Sequence, residues 1–207
     1  MQTRATIAFP PDRPPIPESA MTERLWTFAA GADGPWRITE VRAVIGEALA
    51  EAPRLDRVAG DAAGSGLWSL RGITSNERYV TRDEKQTLTA ASPPLGRSSA
   101  ACAVLIPIRK SAAWWALAQD ERRAIMEEQS HHIAHGLRVL PAVARRLHHC
   151  RDLSPDEPFD FLTWFEFAPE HEAAFDALLD VLRASPEWAY VEREFEVRAR
   201  VDMGPEN

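Results

Sequence analysis

Residues 101–108 read Ala-Cys-Ala-Val-Leu-Ile-Pro-Ile, a fully apolar run of strand length. A strand with no polar face must be covered on both sides. The chain downstream of it offers candidates for that cover. Residues 111–136 are rich in Ala, Glu, Arg and Met and read as helical. Asp120-Glu-Arg-Arg looks like a helix start inside that stretch, Gly136 a C-cap, and Pro141 a bar to continuation. Residues 141–150 suit helix or strand equally. Residues 159–167 are aromatic and β-branched, hence a strand. Residues 169–184 carry Ala173, Phe175, Leu178, Leu179 and Leu182 at helical spacing, with Pro186 as a stop. Residues 192–201 alternate Phe195, Val197 and Val201 against charges, a half-exposed strand. With 141–150 taken as a strand, residues 101–201 run β-α-β-β-α-β, the ferredoxin-like order. Helices cover one face of such a sheet, and its other apolar face requires a second sheet. The expected architecture is an α+β barrel with a cavity between two sheets.

Residues 22–90 are the natural source of the second sheet. Residues 25–30 look like a strand ended by Gly31-Ala-Asp-Gly34, and 36–45 partly alternate and are its expected partner. Residues 46–65 give only a weak signal. Residues 67–73 are short and strand-like, 81–88 suit a short helix, and Ser92-Pro-Pro-Leu-Gly96 breaks the chain. Before this, clustered prolines in 1–21 forbid helix and regular sheet. The expected division is a Pro-rich tail at 1–21, a reduced N-terminal half at 22–100, a C-terminal half at 101–201 and a tail at 202–207. Met21 opens a more conventional sequence and is an expected alternative start.

Charge and composition narrow the function. Lys and Arg number 24 against 31 Asp and Glu, a net charge of −7, which argues against a broad nucleic-acid surface. No apolar run reaches 18 residues, so no membrane helix is expected. The N-terminus lacks the apolar core of a secretory signal. Two cysteines, Cys102 and Cys150, form no disulfide framework and read as buried thiols in a reducing, cytoplasmic setting. Two excesses call for explanation: 7 Trp against 2 Tyr, and five of the 6 His between 131 and 149.

Four clusters could carry chemistry. In Ser130-His-His-Ile-Ala-His135, residues 131 and 135 have the i, i+4 spacing of metal ligands, but no HExxH glutamate accompanies them. Solvated or hydrogen-bonded histidines fit that spacing as well. In Ala144-Arg-Arg-Leu-His-His-Cys150, a strand would place Arg145, Leu147 and His149 on one face and Arg146, His148 and Cys150 on the other. An arginine there holds an anion but cannot act as a base. Lys110-Ser-Ala-Ala-Trp-Trp115 is either core packing or a wall for a flat aromatic ligand, with Lys110 beside an acidic group. Glu166 stands alone in an aromatic strand, so it faces solvent or has a specific partner such as His or Arg.

These segments together resemble the chlorite dismutase family. The resemblance rests on Ile106-Pro-Ile-Arg-Lys-Ser-Ala-Ala-Trp-Trp, Ser130-His-His-Ile-Ala, Leu140-Pro-Ala-Val-Ala-Arg-Arg-Leu-His-His-Cys-Arg-Asp, Phe159-Asp-Phe-Leu-Thr-Trp-Phe-Glu and Pro186-Glu-Trp-Ala-Tyr-Val-Glu-Arg-Glu. Trp68-Ser-Leu-Arg-Gly-Ile-Thr-Ser-Asn-Glu-Arg-Tyr79 adds to it, and the likeness runs from about 22 to 201. It is nearest the short-chain, homodimeric branch, which implies a dimeric α+β barrel of ferredoxin-like units with a reduced N-terminal half. It implies a haem b enzyme that converts chlorite to chloride and dioxygen by way of transient hypochlorite. Carried over residue by residue, it assigns the iron to His132, the distal arginine to Arg145 and the imidazole's acceptor to Glu166. Lys110, Trp114 and Trp115 fall beside the haem, Leu147 on the Arg145 face, and Asn76 and Tyr79 on the propionate side. His148 departs from the family, which commonly has an aromatic there. Weaker readings are a coproheme decarboxylase, a general haem peroxidase, a non-catalytic haem protein, or a zinc site of His131, His135 and His148.

Overall fold

The computed structural model describes residues 24–202 apart from Ser65 and Asn76. The tail at 1–21, the proposed start at Met21 and the assignment of Asn76 lie outside the described residues. Eight strands close into one barrel: β1 (Leu25–Gly31), β2 (Trp36–Ile45), β3 (Arg54–Ala59), β4 (Trp68–Ile73), β5 (Cys102–Lys110), β6 (Ala144–His149), β7 (Phe161–Phe167) and β8 (Val191–Val201). Around the barrel they follow the order β1-β3-β2-β8-β5-β7-β6-β4, every pair antiparallel. Each half therefore repeats one pattern, with its fourth strand beside its first and its third beside its second.

The N-terminal half differs from expectation in two places. β1 pairs with β3 and β4, whereas β2 pairs with β3 and crosses to β8. The partner of β1 thus lies in the weak stretch 46–65. There β3 carries only Leu55 and Val58 among charged residues, too little pattern to read. This half places one helix, α1 (Arg82–Ala91), after its four strands. Thr81 starts it with a capping box, its hydroxyl accepting from the Glu84 amide while Glu84 accepts from the Thr81 amide.

In the C-terminal half the crossover from β5 to β6 is broken into α2 (Ala112–Ala116), α3 (Gln119–Arg123), a π-helical turn (Ala124–Gln129) and α4 (His132–Arg138). Gly136 lies inside α4 and does not cap it. After β7, α5 (Glu172–Arg183) buries Phe175, Leu178, Leu179 and Leu182. No helix among the described residues is long and apolar enough to cross a membrane.

The apolar run on β5 is explained by its two faces. Cys102, Val104 and Ile106 pack under α5 with Phe165, Phe167, Phe175 and Leu179. Ala103 and Leu105 point into the barrel with Phe28, Leu55, Leu70, Leu162, Trp164, Phe195 and Val197. An eight-stranded barrel has an interior just wide enough for side chains, and here they fill it. The cavity expected between two sheets is therefore not there. It lies outside the barrel, between the outer face of β5, β6 and β7 and the helical crossover.

The seams joining the halves are unequal. β2 and β8 pair along most of their length, whereas β4 meets β6 only where Ile73 faces His149. At that weak seam Gly72 provides clearance: a Cβ there would lie 2.9 Å from the His148 Cβ. Gly72→Ala should cost about 1–3 kcal/mol by overpacking, read as a melting temperature lowered by several degrees.

Candidate functional site

A cavity of about 500 Å³ opens between the barrel wall and the crossover. That is the size of a pocket for one small organic ligand. β5 contributes Ile108 and Lys110, β6 contributes Arg145, Leu147 and His149, and β7 contributes Phe161 and Thr163. The facing wall includes Met126, His132 and Ile133, and the rim runs through Tyr79, Leu88 and Pro93.

His132 reaches the cavity because the crossover is not one helix. The π turn ends at Gln129, and His131 takes a left-handed φ of 50°. A π turn beside a functional residue is a recurrent association. The chain restarts as α4 at His132, where the Glu127 carboxylate accepts from the Ile133 and Ala134 amides at 2.6 and 3.3 Å. His131 is left exposed, while His132 is turned inward.

His132 Nδ1 lies 2.7 Å from Glu187 Oε2. The other carboxylate oxygen accepts from Lys110 Nζ at 2.8 Å, and the Glu187 amide donates to Ser130 Oγ at 3.0 Å. Glu187 is 5% exposed and Lys110 likewise, so this is a buried charged chain of three residues. Burial pushes the Glu187 carboxyl up, but the charges and hydrogen bonds of His132 and Lys110 outweigh it and hold it down at about 2. The His132 ring stacks on Trp188, the planes 18° apart. Trp188 Nε1 donates to the fully buried Glu194 at 2.6 Å, and Glu194 is held in turn by Arg183.

Glu187, not Glu166, is thus the carboxylate on the imidazole. Glu166 points inward from β7, opposite Ala103 and Ala144. Its oxygens accept from the Gly96 amide at 2.5 Å and Trp164 Nε1 at 2.7 Å. Both are lone glutamates among aromatics, and only the turn Pro186–Tyr190 that comes after α5 brings one of them to His132. The available signal was the Glu-Trp pair just beyond the helix stop.

The remaining candidates divide. Arg145, Leu147, Lys110, Trp114 and Tyr79 all line the cavity. Trp115 does not: it stacks on the far side of Phe161 and donates Nε1 to Asp160 at 3.3 Å. His148 faces the barrel interior against Phe28, away from His131 and His135. Among the described residues no three His, Cys, Asp or Glu side chains gather as a metal site, which removes the zinc reading.

Several polar groups on the cavity wall lack protein partners. The Arg145 guanidinium makes no hydrogen bond or ion pair among the described residues. Desolvation lowers its pKa, opposed by attraction to Glu77. Ser75 Oγ, Trp114 Nε1 and both nitrogens of His149 are buried and unpartnered. An indole N–H can only donate, so these groups ask for a ligand bearing acceptors. Burial keeps His149 neutral, with a pKa of about 4. A histidine oriented by a carboxylate, with its Nε2 unclaimed among the described residues, is a ready axial metal ligand. The donor set fits a flat, metal-bearing cofactor with acidic edge groups.

The fold and site define a class: an α+β barrel with a histidine–carboxylate pair and an unpaired arginine on one cavity. No family model matches the chain. It is 54% identical to a dimeric chlorite dismutase from Nitrobacter winogradskyi, whose crystal structure aligns over 85% of this chain and 99% of that one with a TM-score of 0.79. Over 124 residues, 59% of the chain, it is 31% identical to the chlorite dismutase of Ideonella dechloratans, and the match spans 41% of that relative's length. A variant chlorite dismutase from Candidatus Nitrospira defluvii, 22% identical with a TM-score of 0.63, shares the fold. The chain belongs to the chlorite dismutase family.

The buried chain makes a stability prediction. Lys110→Met or Glu187→Gln alone leaves a buried charge without its partner and should each cost about 3 kcal/mol. The double variant should recover much of that loss. Urea denaturation of the four proteins checks the cycle.

Proposed function

We propose that this protein is a haem b-dependent chlorite dismutase, a homodimer that converts chlorite to chloride and dioxygen. The carrying observation is the presence of His132 and Arg145 on one cavity. The identity to the dimeric Nitrobacter winogradskyi enzyme supports both the activity and the oligomeric state.

Haem, when bound, supplies a redox-active iron at which the Cl–O bonds of chlorite are broken. The protein's own residues account for the rest. His132 would hold the iron through Nε2, because Nδ1 is committed to Glu187. The carboxylate on Nδ1 fixes the tautomer and makes the imidazole a stronger donor. Lys110 holds Glu187 in place as an anion. Trp114, Ser75 and His149 lie in the cavity wall, where a small shift would open their unpartnered polar atoms to the cofactor's acidic edge, and Tyr79 and Leu147 complete its walls. Asn76 is assigned to the same edge by family resemblance.

Arg145 binds the substrate anion. A permanent cation facing the cavity would attract chlorite, and would hold a chlorine oxyanion formed from it, more strongly once a bound cofactor had displaced water. Both oxygens of the dioxygen come from chlorite, so a cation that keeps the chlorine oxyanion in the cavity until the reaction is complete would prevent its loss. Chlorite yields chloride and dioxygen with no net proton, so the distal side requires no general base.

His132→Ala should abolish the Soret band of the purified protein. Arg145→Ala should keep that band, lower oxygen evolution from chlorite at least roughly tenfold, and bleach faster as hypochlorite escapes. An oxygen electrode and absorption spectra taken during turnover check both. Unchanged oxygen evolution in Arg145→Ala removes the proposed role.

A further inference from the structure

A second group of cations lies across β6 from Arg145 and has no partner. On β3, Arg57 faces inward with Leu55, and its guanidinium lies 3.6 Å from the centre of the Trp26 ring. The Trp26 ring also meets that of His148, 6.2 Å between centres. His148 shares the inward face of β6 with Arg146, two residues and about 7 Å along the strand. Trp26 therefore meets both Arg57 and His148 in one part of the lumen, and Arg146 is near enough to act electrostatically on each, beside the weak seam between β4 and β6.

Their donors are unclaimed. Neither arginine makes a hydrogen bond or ion pair among the described residues, and Arg57 Nε is buried without an acceptor. His148 is fully buried and its Nε2 has no partner. Its Nδ1 lies 3.1 Å from Thr74 Oγ1, so when that hydroxyl donates, Nε2 carries the proton and points it at nothing. Burial, with Arg57 and Arg146 nearby, keeps the ring neutral, its pKa about 3.

The carboxylate acting on Arg57 is Glu166, and both of its oxygens are already engaged by Gly96 and Trp164. Other half-buried arginines have carboxylate partners, Arg183 with Glu194 and Glu196, Arg71 with Glu157 and Arg123 with Glu84, or donate to carbonyls, as Arg24 and Arg122 do. Arg57 is half-buried, so its lack of a counter-ion is costly, whereas Arg146 is exposed and can reach an anion arriving from solvent. Arg57 also loses proton affinity, to about 10, chiefly through burial.

We propose that Arg57, Arg146 and His148 form a second anion site, inside the barrel mouth, that takes a small inorganic monoanion, a halide or an oxyhalide. Arg146 also lines the main cavity, so the site adjoins the space that Arg145 serves. An anion held there sits on the opposite face of the same strand, one residue from the proposed catalytic arginine. The site rests on its own residues and goes beyond the proposed reaction, so bromide binding survives even if chlorite is not the substrate.

Bromide titration of the purified protein at constant ionic strength, with gluconate as the bulky replacement, tests the site. At about ten times the dissociation constant, bromide should raise the melting temperature by about 4 °C. Arg57→Met and Arg146→Met should each lose most of that shift, and Arg145→Met should keep it. Crystals soaked in bromide should show an anomalous peak against the Arg57 guanidinium. No shift in the wild type overturns the proposal, as does a shift that survives both Arg57→Met and Arg146→Met. A shift abolished by Arg145→Met also overturns it, because the anion then occupies the main cavity.

Discussion

Eight strands closed on themselves leave room inside for side chains and for little else, and the rest of this structure depends on that limit. With Phe28, Trp164 and Phe195 filling the lumen, the cavity that can take an organic ligand lies against the outer wall. That wall is covered by whatever joins β5 to β6. The crossover must pack on the sheet and yet stand away from it, and its broken course does both. A continuous helix would carry residues 131 and 132 past the cavity on successive faces. The π turn and the left-handed His131 reset the phase, so the next residue enters the site.

The second constraint is electrostatic. A histidine that is to bind a metal needs its other nitrogen fixed, and the acceptor here is a buried carboxylate. Burying Glu187 is tolerable only because Lys110 is buried against it, and Lys110 in turn rests on the faces of Trp114 and Trp188. Trp188 is anchored by Glu194, itself buried and paired with Arg183. The tryptophan excess therefore has a structural meaning. Indoles supply flat apolar walls, cation-stabilising faces and single N–H donors, and this site uses all three.

The legible parts were those where local pattern and burial coincide. β5, β7 and α5 are buried on a defined face, so their apolar periodicity is plain, and their boundaries fall within a few residues of the expected ones. β3 was hidden because half its residues are charged, and the partner of Arg54, Asp202, lies far away in sequence. His132 and Arg145 could be named because each lies in a segment with a recognisable string of residues. Glu187 differed from Glu166 locally only in the Glu-Trp pair just beyond the helix stop, too weak a signal to assign the imidazole's partner. Both are glutamates beside a tryptophan or phenylalanine, and what separates them is which way a strand and a turn happen to face. That depends on pairing between residues far apart in sequence.

The distribution of charge makes the same point at the scale of the whole molecule. A chain of net charge −7 should repel small anions. Its acidic surplus does not reach the site, because the buried glutamates that approach the barrel are each committed to an arginine, a lysine or an N–H group. Three arginines near the barrel mouth remain uncommitted among the described residues: Arg145 outward to the cavity, and Arg146 and Arg57 on the lumen side. Neutralising any of them with a nearby carboxylate would have been easy in so acidic a protein. Arg145 and Arg146 are both open to solvent, so water carries their charge until a small anion arrives, and two unpaired cations on opposite faces of one strand give such an anion a local attraction that the net charge does not.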